Sequence, residues 1–190
     1  MREFAGTGIR ASVVGLGSNN LGIYQNAARA VAVVRKALDV GINFLDMAGE
    51  HGSGLEESLV AEALGPRHKE VIIATKFGQA EMLGLKDSDT ILSEDKTRQG
   101  ASGRWIMQVV EDGLTRLKTD YLVLYQVHVA DPETPREETL HALGEAATFA
   151  SPDDLNTPQA IAAANGLAPF VTIEAKCSIL LRDAEKPVIQ

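Results

Sequence analysis

Residues 41–78, GINFLDMAGEHGSGLEESLVAEALGPRHKEVIIATKFG, decide the fold. Ile42 to Asp46 is an apolar run of strand length. Glu56 to Leu64 repeats apolar residues at helical spacing until the breaker Gly65-Pro66, and Val71 to Thr75 is apolar and rich in β-branched side chains. A strand, a helix and a second strand in that order form the repeating unit of a parallel sheet.

Working outward, the same alternation continues on both sides. Ala11 to Gly17 reads as an earlier strand, and Gln25 to Val40 as an amphipathic helix closed by Gly41 at its C′ position. After a long polar loop from about Gly78 to Gly103, the sequence predicts a helix over Arg104 to Lys118. Ser102 is its cap, and Ile106, Val109, Val110, Leu114 and Leu117 form its apolar stripe. Tyr121 to Val127 is a further strand. Thr134-Pro135 then opens a helix with Thr134 as N-cap and Glu137 as its capping-box partner. Ser151-Pro152 repeats the signal for a helix to about Asn165, and Phe170 to Glu174 is the last strand. Gly144 to Ala150 (GEAATFA) offers no convincing strand, so one is expected to be missing there.

Composition narrows the class. The chain has 190 residues, 45% apolar and 23% charged, which excludes a disordered or collagen-like protein. No apolar run reaches the 18 or more residues of a spanning helix. The N-terminal residues MREFAGTGIRAS carry no apolar core of a secretory signal, so cytoplasmic residence is the default expectation. A net charge of -8 with scattered basic residues argues against nucleic acid as a partner. Cys177 is the only cysteine, which leaves no internal disulfide and no CxxC motif. No composition break divides the chain, and 1–190 reads as one domain.

In parallel α/β folds the reacting groups gather at the carboxyl ends of strands. Asp46 closes one strand, Lys76 follows the next, His128 follows a third, and His51 stands five residues beyond Asp46. With VVGLGSNNLG, ALDVGINFLDMAGEHGSGLEESLVAEAL, VIIATKFG, VEDGLTRLKTDYLVLYQVHVADPETPREETLHAL and NGLAPFVTIEAKCSILLRD in that order, the sequence resembles the aldo-keto reductases along nearly its whole length.

The resemblance implies a (β/α)8 barrel that binds NADPH and reduces an aldehyde or ketone. Its catalytic tetrad is Asp, Tyr, Lys and His, and Asp46, Lys76 and His128 fall on three of these positions. His51 in DMAGEH stands where the family has tyrosine. A histidine beside Lys76 would carry its proton less readily at neutral pH, so reduction is expected to be weak and favoured by mild acid. Ser18 and Asn19 match a position near the nicotinamide, and Glu174 and Cys177 stand where the family commonly has Gln and Tyr. Against the roughly 250 residues of a full barrel, the expectation is an incomplete (β/α)8 barrel of about five parallel strands, lacking the fifth strand and the C-terminal units.

Plainer readings stand beside these. Asp46 and Lys76 can be an inherited ion pair, His128 a satisfied strand-end residue, and His68 and His141 exposed side chains. Cys177 can be a small buried apolar residue. GLGSNNLG lacks the GxGxxG spacing of a Rossmann phosphate cradle. The segment from Lys86 to Arg98 reads as solvated, with a lid as its alternative. The leading function is an NADPH-dependent reductase, weak or impaired, acting on a small carbonyl compound, with self-association covering open sheet edges. Its alternative is a non-catalytic, reductase-derived interaction module or deletion product. A metal held by His51, His128 and Asp46 is a third reading, disfavoured by the Lys76 charge, and the expectation is no metal.

Overall fold

The computed structural model describes residues 1–4, 8–22, 24, 26–48, 54–78, 100–129, 131–143, 148–149 and 172–173. The chain divides into two compact units, Met1–Phe77 with Met107–Tyr125, and Gly78–Ile106 with Gln126–Gln190.

The first unit begins with an antiparallel pair, β1 (Arg2–Glu3) and β2 (Arg10–Ala11). It continues through β3 (Leu16–Gly17), α1 (Ala27–Asp39), β4 (Phe44–Asp46), α2 (Leu55–Leu64), a 3-10 turn at Gly65–Glu70 and β5 (Ile72–Phe77). The later part of α3 (Gly103–Leu117) and the first residues of β6 (Leu124–Val127) complete it. Strand order in the main sheet is β3, β4, β5, β6, and the first three are parallel neighbours. This is the unit predicted from residues 41–78, with β5 starting one residue later and ending two residues later than expected.

Local chemistry explains where these elements start and stop. The Asn26 side chain accepts from the Arg29 N–H at 2.9 Å and caps α1, and Gly41 follows its end with φ 87°. Ala30, Val31, Val34, Ala37 and Leu38 are the buried stripe of α1. With Leu45, Met47, Leu59, Val60, Leu64, Val71, Ile73 and Leu117 they build the core. The α2 helix ends at Gly65-Pro66, where proline disfavours an α-helical residue before it. Arg35 of α1 takes over two of the carbonyls freed there, those of Glu62 and Ala63, each at 3.3 Å.

Two expectations for this unit are corrected. Ala11 to Gly17 is not one strand. Ala11 ends β2, Leu16 begins β3, and Val13 and Val14 between them are 67% and 64% exposed. Side chains replace the ladder across this break. The Ser12 N–H donates to Asn43 Oδ1 at 2.7 Å, and the Asn43 N–H returns to Ser12 Oγ at 3.1 Å. His68, expected to be exposed, is half-buried, its ring nitrogens 2.7 Å and 2.8 Å from the carbonyls of Gly65 and Leu117.

The second unit holds the start of α3, the rest of β6, α4 (Arg136–Leu143) and a parallel pair, β7 (Thr148–Phe149) with β8 (Thr172–Ile173). A strand therefore exists inside the segment where none was expected. Thr148 and Phe149 favour strands individually, but a two-residue run is too short to show an alternating pattern, and it is pairing with β8 that defines them. Thr134 also departs from its expected capping geometry, its hydroxyl donating to Asp131 Oδ2 at 2.7 Å. Asp131 accepts as well from the N–H of Ala101 and of Glu133, each at 2.9 Å. Partial burial pushes the Asp131 carboxyl up. The backbone and hydroxyl donors from Ala101, Thr134 and Glu133 outweigh it and hold the group below the usual carboxylate range. The expected helix after Ser151 and most of the long polar loop lie outside the described residues. Among the described residues, no helix is long and apolar enough to cross a membrane.

Candidate active site

Sheet register brings Asp46 and Lys76 together. Asp46 is opposite Ala74 in the β4–β5 pair, and Lys76 stands two residues further along β5, on the same face as Ala74. The lysine stem spans that offset and its Nζ forms an ion pair with Asp46 Oδ1. Nζ also lies 3.4 Å from the Met47 carbonyl. The Lys76 side chain is 8% exposed and that of Asp46 28%, so the cation is sheltered and the carboxylate reaches solvent. A pair of this kind is strongly disrupted by removal of either partner, because the other charge is left in a low-dielectric place.

The opposite face of these strands is held by two consecutive carboxylates in the first turn of α2. Glu56 and Glu57 are each 1% exposed. Glu56 Oε1 accepts from the Ala48 N–H at 2.8 Å. The Ser18 hydroxyl is shared between Glu56 Oε1 and the Asp46 carbonyl, each at 2.8 Å. Glu57 accepts from the Thr75 hydroxyl at 2.9 Å through Oε1 and from Arg116 Nε at 2.6 Å through Oε2. Thr75 precedes Lys76, and Ala48 and Ser18 flank the backbone of Asp46. Each glutamate therefore grips the strand end that carries one member of the ion pair.

The remaining expected residues are distributed differently. Ser18 is 2% exposed, its hydroxyl committed to Glu56 and to the Asp46 carbonyl. Asn19 is exposed at the exit of β3. His128 is half-buried just after β6 in the second unit, where Gly78 packs so closely that a Cβ there would stand 3.1 Å from the Val129 nitrogen and 3.3 Å from His128 Cβ. His51, Glu174 and Cys177 lie outside the described residues. Among the described residues there is no group of three or more His, Cys, Asp or Glu that could hold a metal ion.

Sequence reasoning missed Glu56, Glu57 and Arg116. Acids in the first turn of a helix are ordinarily favoured by the helix dipole, so nothing in LEESLVAEAL marks these two as buried.

The sequence model of the aldo/keto reductase family matches residues 13–190. The chain belongs to the aldo/keto reductase family. It is 32% identical to the aldo-keto reductase YhdN of Bacillus subtilis over 98% of this chain and 56% of that protein. Identity to the uncharacterized oxidoreductase YqkF of the same organism is 33%, over 76% of this chain and 44% of the relative. The holo form of aldo-keto reductase AKR11C1 from Bacillus halodurans superposes with a TM-score of 0.74 at 27% identity, covering 97% of this chain and 60% of the other. This aldo/keto reductase chain thus spans about half the length of the curated relatives it matches. The described parallel sheet and its helices are the corresponding part of a (β/α)8 barrel.

Proposed function

We propose that the chain acts as an NADPH-dependent reductase of an aldehyde or ketone carbonyl. The observation that carries this reading is the Asp46–Lys76 ion pair at the carboxyl ends of β4 and β5. A strand-end carboxylate paired with a sheltered ammonium suits proton transfer to a developing alkoxide. The residues present fit the nicotinamide end of the cofactor. Gly17 pairs with Asp46, and the exposed carboxamide of Asn19 stands two residues further on, able both to donate and to accept. Ser18 supports that turn from beneath through Glu56. Glu174 and Cys177 belong to the proposal as further cofactor contacts.

When bound, the nicotinamide supplies a hydride to the carbonyl carbon. His51 donates the proton to the carbonyl oxygen, which completes the alcohol. Lys76 steadies negative charge on that oxygen, Asp46 holds Lys76 in place, and His128 orients the carbonyl. The Asp46 and Lys76 side chains share one face of the sheet, so the ammonium needs no rearrangement as charge develops.

A small carbonyl compound met in the cytoplasm, and self-association of the chain, complete the reading. NADPH titration by fluorescence, followed by steady-state reduction of a panel of aldehydes, is the test. Saturable binding and turnover that falls at least about 100-fold in Lys76→Met support the reading. No binding at millimolar NADPH defeats it. A His51→Phe variant as active as the parent removes His51 from the proton transfer. A single monomeric species at all concentrations in size-exclusion chromatography removes the self-association.

A further inference from the structure

We propose that Glu56 is the positioning residue of the Asp46–Lys76 pair, setting where the Asp46 carboxylate stands rather than touching any reactant. The inference deepens the reductase reading and rests on it for its kinetic consequence.

Three observations carry it. Glu56 is buried at 1% exposure, and the donors from Ala48 and Ser18 both fall on its Oε1. Its Oε1 holds the Ala48 N–H at 2.8 Å and shares the Ser18 hydroxyl, itself 2.8 Å from the Asp46 carbonyl. These contacts hold the backbone just after Asp46, at its own carbonyl and at the N–H two residues beyond. The strand is short: β4 ends at Asp46, so the ladder alone does not fix the residues beyond it. One ladder-like bond, Met47 N–H to the Ala74 carbonyl at 2.9 Å, continues past the strand end, and Glu56 supplies the next constraint at Ala48.

The neighbouring Glu57 grips Thr75, and successive helical residues diverge by about 100°. The first turn of α2 therefore anchors β4 and β5 independently. Glu56 governs the Asp46 side of the pair and Glu57 the Lys76 side. A carboxylate at position 56 reaches both Ser18 and Ala48 at once, which alanine cannot do. Glutamine preserves the shape and one acceptor oxygen, and so serves as the conservative variant.

The experiment measures the coupling between Asp46 and Lys76 by a double-mutant cycle in urea, using Asp46→Asn and Lys76→Met. It is run in the parent chain, in Glu56→Ala and in Glu56→Gln. Expected is a coupling reduced to less than half in Glu56→Ala and largely restored in Glu56→Gln. Where the parent reduces carbonyls, kcat falls by about tenfold or more in Glu56→Ala with KM within twofold, because a misplaced group loses rate before it loses binding. An unchanged coupling in Glu56→Ala overturns the proposal, even when overall stability falls. If Glu56→Ala does not fold, Ser18→Ala removes the shared hydroxyl alone, and the same reduction in coupling is required of it. A parent with no reductase activity defeats the functional reading and leaves the coupling cycle to decide the positioning role.

Discussion

Replacing Arg116 by methionine isolates the buried charge beneath the site. The substitution keeps most of the aliphatic stem and deletes only the cation facing Glu57. Glu57 is 1% exposed and its Oε2 lies 2.6 Å from Arg116 Nε, so the carboxylate is left without the partner that offsets its burial. Removing one member of a buried pair costs about 3–5 kcal/mol. The Arg116 side chain is 28% exposed, and water reaching that end lowers the expected loss to about 2–3 kcal/mol. For a chain of this length each kcal/mol moves Tm by about 2–4 °C, which gives a fall of about 4–12 °C. Glu57→Gln should lose only about 1 kcal/mol, since its amide oxygen still accepts from Thr75. The double variant Glu57→Gln with Arg116→Met should melt above Arg116→Met alone, because no uncompensated charge remains. Differential scanning calorimetry on the four proteins decides the matter. An Arg116→Met chain that melts within about 1 °C of the parent, or a double variant below both singles, refutes the buried-charge account.

Gly54 opens α2 with φ 82°, and a Cβ there would run into the Arg116 side chain. Gly54→Ala should therefore lose about 1–3 kcal/mol by urea denaturation, and an unchanged midpoint counts against both the strain and the clash. Asn26→Ala removes the cap of α1 and should cost about 1 kcal/mol, visible as faster amide exchange at Arg29. Asp131 has a folded-state pKa below its ordinary value, so its contribution is fully present above about pH 3.9, the unfolded value, and is lost as pH falls through the folded one. Amide exchange at Ala101 and Glu133, followed down to pH 2, should accelerate over that window, and exchange that merely follows its intrinsic pH dependence contradicts the assignment.

Periodicity made the order of elements readable, because alternation of short apolar runs with 3.6-residue stripes is a property of whole segments. Residues 41–78 fold as strand, helix and strand for that reason. The β1–β2 pair was not readable, since Arg2–Glu3 and Arg10–Ala11 are too short to show a period. The break at Ser12 was equally hidden, because it depends on Asn43, thirty-one residues away. At the site, Asp46 and Lys76 were readable from their places at strand ends. The grip of Glu56 and Glu57 was not, since acids in the first turn of a helix are ordinarily favoured there by the helix dipole and need no other explanation.

The two faces of the sheet explain why such costly groups sit under the site. Alternation forces Thr75 and Lys76 to opposite faces, so whatever secures Thr75 also sets the height of Lys76 along β5. The same holds for Ser18 and the backbone of Asp46. Apolar side chains of equal volume would stabilise the α2 interface at least as well as two buried carboxylates. They would do so without direction, whereas a carboxylate with two engaged donors admits one arrangement of the strands. The arrangement matters at Asp46 and Lys76, whose attraction falls with separation and of which only the Asp46 carboxylate reaches solvent. Burying Glu56 and Glu57 exchanges stability on the helix side of the sheet for a fixed distance on the other.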